Sequence, residues 1–180
     1  MDDWNVVVTV FDQRGYRVAK SILANFGEVG QTEFYNVLVV KVADIGSFTE
    51  AVDELVQRTP GVMNDISRIV PSHANFNFSN PGEFQERARE TVLVWTDDFA
   101  DRSFYVRLHR RGFKGQISSP IEERFLDDAL LGKLERIGKP GRIAFEDPDM
   151  VIDIETVGNR AGISKWSRED LHRFSFLEID

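Results

Sequence analysis

Apolar and polar positions change period along the chain, and each change marks an element. WNVVVTVF (Trp4 to Phe11) is an apolar, β-branched run that predicts a buried strand. Val18, Ala19, Ile22, Leu23 and Phe26 then recur at helical spacing, with Asp12 positioned as an N-cap and Gly27 as the stop. Two strand-like segments follow, about Val29 to Phe34 and Val37 to Val42, with a turn at Tyr35-Asn36. Ser47 and Glu50 have capping-box spacing and open a helix that runs to about Arg58 and closes at Pro60-Gly61. Ile66 to Val70 predicts one more strand before Pro71. The order β-α-β-β-α-β is that of a ferredoxin-like domain over residues 1–71, and it carries no functional information by itself.

Residues 72–81 (SHANFNFSNP) are polar and aperiodic and end in proline, which predicts a linker. Residues 82–180 are expected to form a second α/β domain of different order. Asn80, Pro81 and Glu83 suit a helix start, with Phe84, Ala88, Val92 and Trp95 on one stripe. Ser103 to Arg111 reads as a strand, with Phe104, Val106 and Leu108 on one face and Tyr105, Arg107, His109 and Arg111 on the other. Gly112 and Gly115 bracket a turn. Ser119 to Glu122 has capping-box spacing, and Ile121, Phe125, Leu130, Leu134 and Ile137 are expected inward on the helix that ends at Gly138. Met150 to Val157 and about Ala161 to Trp166 predict two strands around a Gly158-Asn159 turn. Strand, crossover helix and strand imply parallel pairing.

Composition narrows the chemistry. The chain has 180 residues, 42% of them hydrophobic, with no cysteine, so disulfides and thiolate chemistry are excluded. His73, His109 and His172 lack metal-ligand spacing, and no metal or cofactor is expected. With no signal-like start and no long apolar run, a soluble cytoplasmic protein is the expectation. Net charge is −8, yet Arg102 to Arg142 holds ten Lys/Arg against five Asp/Glu, a window of +5 that leaves −13 for the rest. A basic patch on an acidic chain points to a localised polyanion site.

The stretch FYVRLHRRGFKGQISS carries that patch. Arg107, His109 and Arg111 at alternate positions suit phosphate oxygens, with Arg110 and the Lys114 ammonium on the adjoining turn. Tyr105 and Phe113 have the rings to stack a base. The competing reading is structural: Asp153 and Glu155 share one face of a neighbouring strand and suit neutralising cross-strand pairs. Lys133, Arg136, Lys139 and Arg142 form a second cluster at a helix C-terminus, where cations also complement the dipole. Asp127-Asp128 reads as a solvated helix face. There is no GxGxxG, Walker loop or HExxH, and no catalytic residue is predicted.

SFYVRLHRRGFKGQISSPIEERFLDDALL, followed by EDPDMVIDIETVGNRAGIS, resembles the THUMP domain, an RNA-binding module of tRNA-modifying systems. The likeness lies in the basic strand end RLHRRG, the serine-rich helix entry with Glu123-Arg124, and the PD turn before an IxIE strand. It covers about Pro81 to Trp166, and a ferredoxin-like domain usually precedes such modules. In the family the module holds the 3′ acceptor end of tRNA, which implies RNA-binding roles for Arg107, Arg110, Arg111 and Lys114. The length and the ending Lys165 to Leu171 resemble the members that act as adaptors. Those present tRNA to a separate RNA cytidine acetyltransferase for N4-acetylcytidine formation. Many members have glycine where this chain has Asp127 or Asp128, so negative charge falls near the implied RNA surface. An RNA-targeting subunit of a methyltransferase or thiolation enzyme, and a protein-interaction module without RNA binding, stay open as alternatives. The full set of RNA-binding candidates is Tyr105, Arg107, His109, Arg110, Arg111, Phe113, Lys114, Lys139 and Arg142.

Overall fold

The computed structural model describes residues 1–179. The chain forms two compact units, Met1–His73 with the chain from Arg173 onward, and Ala74–His172.

In the first unit, β1 (Val6–Val10) is followed by α1 (Gln13–Leu23), β2 (Glu28–Gln31), β3 (Val37–Lys41), α2 (Ile45–Arg58) and β4 (Ile66–Pro71). The sheet order β2-β3-β1-β4 with antiparallel neighbours is the ferredoxin-like arrangement. Asp12 caps α1 as expected, its carboxylate accepting from the Gly15 N–H at 2.9 Å. The α2 cap differs from the expectation: the helix starts earlier, and Asp44, not Ser47, accepts the orphan N–H, that of Ser47 itself, at 2.7 Å. Glu50 is thereby released to pair with Arg173, which also holds Asp53 at 3.1 Å. The C-terminal segment belongs to this unit: Phe174, Phe176, Leu177 and Ile179 are buried, and the Ile69 N–H donates to the Phe176 carbonyl at 2.8 Å.

The second unit contains β5 (Ala74–Asn77), α3 (Pro81–Val94), β6 (Ser103–His109), α4 (Ser119–Arg136), β7 (Arg142–Ile143), β8 (Met150–Val157), β9 (Arg160–Ser167) and most of the short α5 (Arg168–Arg173). Its sheet order is β5-β9-β8-β6-β7, with β6 parallel to both β8 and β7. The stretch expected as a linker contributes β5, antiparallel to β9, because Phe76 and Phe78 drop into the core beside Phe84. Asn80 caps α3 as expected, accepting from the Glu83 N–H at 2.9 Å.

On α4 the buried stripe is Leu126, Leu130 and Leu134, whereas Ile121 and Ile137, expected inward, are exposed. The helix begins after Ser118, which makes no side-chain cap, and Glu122 is buried accepting from Gln85 at 3.1 Å rather than closing a capping box. Among the described residues no helix is long and apolar enough to cross a membrane.

Candidate nucleic-acid interface

Strand β6 places its odd-numbered side chains on the face away from the α3/α4 core, as alternation requires. That face is not a row of displayed cations. In register, Arg107 lies opposite Asp153 and His109 opposite Glu155. The side chains pair one step along: His109 Nε2 sits 3.4 Å from the Asp153 carboxylate, and Arg111 forms an ion pair with Glu155. Arg107 stands 3.9 Å from Glu123 of α4, and its guanidinium lies 5.5 Å over the Tyr105 ring. Asp153 and Glu155 are fully buried, and carboxylates so placed need the cations beside them.

The acidic partners anticipated as neutralisers are therefore present, with Glu123 added from α4. One oxygen or nitrogen each of His109, Asp153 and Glu155 lies within 4.8 Å of the others, a spacing that also suits a cation. The Arg111 guanidinium already supplies positive charge there.

The aromatic candidates are also turned inward. Tyr105 is buried, with its ring 5.5 Å from that of Phe145. Phe113 packs on Phe78 at 5.1 Å. The turn between β6 and α4 requires its glycine: Gly112 has φ +103°, and a Cβ there would meet the Gly158 Cα and carbonyl oxygen at 3.1 Å. Arg110 reaches back to the Gly112 carbonyl.

The remaining candidates face water. Lys114 on the turn, Lys139 ahead of β7 and Arg142 at its start are exposed and enter no ion pair among the described residues. They do not form one cluster. The Arg142 N–H bonds the Arg102 carbonyl at the start of β6, while Lys114 lies beyond its end. A seven-residue strand separates the two by roughly 20 Å. The EDPD turn fixes the far end: Asp149 accepts from the Ser103 N–H at 2.8 Å, and these bonds hold its carboxyl below the usual range.

Between these ends lies a feature the sequence did not announce. β7 is only two residues long, so β6 beyond Phe104 has an open edge. Side chains of α4 close half of it: the Val106 N–H donates to Asp127 at 3.0 Å and the Leu108 N–H to Glu123 at 2.8 Å. Asp127, expected on a solvated face, is thus only 8% exposed. Burial pushes its carboxyl up to about 7, and Glu123 and Asp128 add to the shift against the Val106 bond. Val106, Pro120, Glu123, Arg124, Asp127, Asp128, Ile143 and Phe145 line a groove of about 310 Å³ here. Its rim carries Phe145, 69% exposed.

No protein-family model and no curated protein matches the sequence, but solved structures match in fold. PH1313 from Pyrococcus horikoshii aligns with a TM-score of 0.63 at 14% identity over 92% of this chain. TrmN from Thermus thermophilus aligns at 0.61 and 18% identity over 91%. A 4-thiouridine synthetase solved with RNA and ATP aligns at 0.53 and 11% over 92%. The fold is THUMP-like. At these identities the likeness concerns architecture alone. The chain spans about half the length of the structures it matches, 55%, 45% and 42% respectively.

Proposed function

We propose that this THUMP-like chain is a non-catalytic, cytoplasmic adaptor that holds the acceptor end of tRNA for a separate modifying enzyme. The enzyme favoured by the sequence resemblance is an RNA cytidine acetyltransferase forming N4-acetylcytidine. The observation that carries the proposal is the pair of cationic ends flanking β6, the exposed Lys114 with the half-buried Arg110 beside it, and the exposed Lys139 and Arg142. Their separation suits several consecutive phosphates of one strand, which ammonium and guanidinium groups bind without reading sequence. The likeness in fold to a 4-thiouridine synthetase crystallised with RNA supports the RNA reading. Holding rather than chemistry is favoured because Glu155 of the His109, Asp153 and Glu155 cluster is paired with Arg111.

A second reading, a protein-interaction module without RNA binding, draws on the carboxylates that stand beside Arg107, His109 and Arg111. Mass spectrometry of tRNA nucleosides from a deletion strain separates the possibilities. Loss of N4-acetylcytidine is the expected result. Loss of a methylated or thiolated nucleoside reassigns the partner enzyme, and an unchanged profile removes the tRNA role.

A further inference from the structure

The groove between the two cationic ends has walls of a different character. Glu123, Asp127 and Asp128 face it from α4, and the Val106 carbonyl belongs to the open edge of β6, so hydrogen-bond acceptors dominate. Arg124 also borders it but is exposed. Arg107, over the Tyr105 ring, stands 3.9 Å from Glu123 and leaves Asp127 and Asp128 as the groove acids in no ion pair among the described residues. The charges acting on Asp127 are those of Glu123 and Asp128, both of which oppose its ionisation. Phe145 presents a largely exposed ring at the rim, tilted 43° to Tyr105 below it. Ile121 and Phe125 line a second cavity of about 370 Å³ next to it, which shares Pro120, Arg124 and Asp128.

A polyanion brought over this groove would desolvate Asp127 and Asp128 without supplying a counter-charge, which is unfavourable. A planar cation supplies the charge and the donors together and stacks on an aromatic face. We infer that the groove between α4 and the open edge of β6 is a docking site for an arginine side chain of a partner protein. The guanidinium would lie against Phe145 and donate to Asp127, Asp128 and the Val106 carbonyl, with the apolar flank at Ile121 and Phe125 receiving the adjoining residues. The identity of that partner as the modifying enzyme rests on the adaptor reading; the chemistry of the groove does not.

The test uses the whole chain and the peptide acetyl-Gly-Arg-Gly-amide, followed by NMR chemical shifts. Shifts are expected at the Val106 amide and the Phe145 ring, and none with the citrulline analogue, which has the same shape without the charge. Because binding needs ionised Asp127, affinity should rise through pH 7, by roughly tenfold between pH 6 and pH 8. Asp127→Asn/Asp128→Asn keeps an acceptor for the Val106 N–H and should abolish the shifts; Phe145→Ala, an exposed site, should weaken them severalfold. Equal binding of the citrulline peptide, or shifts scattered over the acidic surface, would overturn the inference. The same Asn variant should retain tRNA in a mobility-shift assay, and weakened tRNA binding would assign the groove to RNA and overturn it too. Failure of the wild-type chain to bind tRNA, with the peptide shifts intact, would remove the adaptor reading and leave the arginine site standing.

Discussion

Replacing Arg111 by alanine tests whether the basic strand face builds the fold or binds a ligand. The Arg111 side chain is 16% exposed and its partner Glu155 is 1% exposed. Alanine would leave that carboxylate buried with its main counter-charge gone, and breaking such a pair costs about 3–5 kcal/mol. For a unit spanning Ala74–His172, with a urea m-value of about 1.5 kcal/mol/M, the midpoint should fall by about 2–3 M. Tryptophan fluorescence can follow the transition through Trp95 and Trp166 in that unit. Arg111→Ala/Glu155→Gln removes the orphaned charge and should recover most of the loss, a coupling that a double-mutant cycle measures. The double variant should bind tRNA as the wild type does. A single Arg111→Ala variant within about 1 kcal/mol of wild type would show the guanidinium dispensable to the fold and free to serve a ligand.

Further outcomes follow from the geometry. Asp127 has a folded-state pKa raised to about 7 from 3.8, so the folded state binds the extra proton and stability should fall as pH rises from about 4 to 7. Asp127→Asn should flatten that window in urea melts and be the more stable form at pH 8, by on the order of 2 kcal/mol. Gly112→Ala adds a Cβ 3.1 Å from Gly158 at φ +103° and should lower stability by about 2–3 kcal/mol in thermal unfolding. Arg173→Ala should loosen the C-terminal segment through loss of its Glu50 and Asp53 contacts, read as faster amide exchange at Ile69.

The ferredoxin-like half was legible because its elements are local: each apolar run, cap and breaker lies within a dozen residues. The second unit was less so where a partner distant in sequence decides the outcome. SHANFNFSNP looks polar in a window, yet Phe76 and Phe78 find their core only through β9 and α3. On α4 the aliphatic residues surround the helix, so Ile121 and Ile137 were expected inward with Leu130 and Leu134; packing on β6 buries Leu126, Leu130 and Leu134 and leaves Ile121 and Ile137 exposed.

The candidate site divides in the same way. Parallel pairing of β6 with β8 was predictable, and it left neutralisation by Asp153 and Glu155 as one of two open readings of the strand row, the one the side-chain contacts favour. The open edge was not: it depends on β7 stopping after two residues, and only that gap turns Glu123 and Asp127 from helix-surface acids into hydrogen-bond partners of a strand. The spacing of Glu123 and Asp127, one helical turn apart, was the available signal.

Salt-dependent tRNA affinity decides whether exposed cations at the two ends of β6 hold tRNA while the strand row serves the fold. Lys114→Ala/Lys139→Ala/Arg142→Ala should weaken binding at low salt and flatten the plot of log affinity against log salt by roughly 0.7–0.9 per lost phosphate contact. The Arg111→Ala/Glu155→Gln variant should keep the wild-type slope. An unchanged slope in the triple variant, with a flattened one in the strand-row variant, would put the phosphate contacts on the strand row instead.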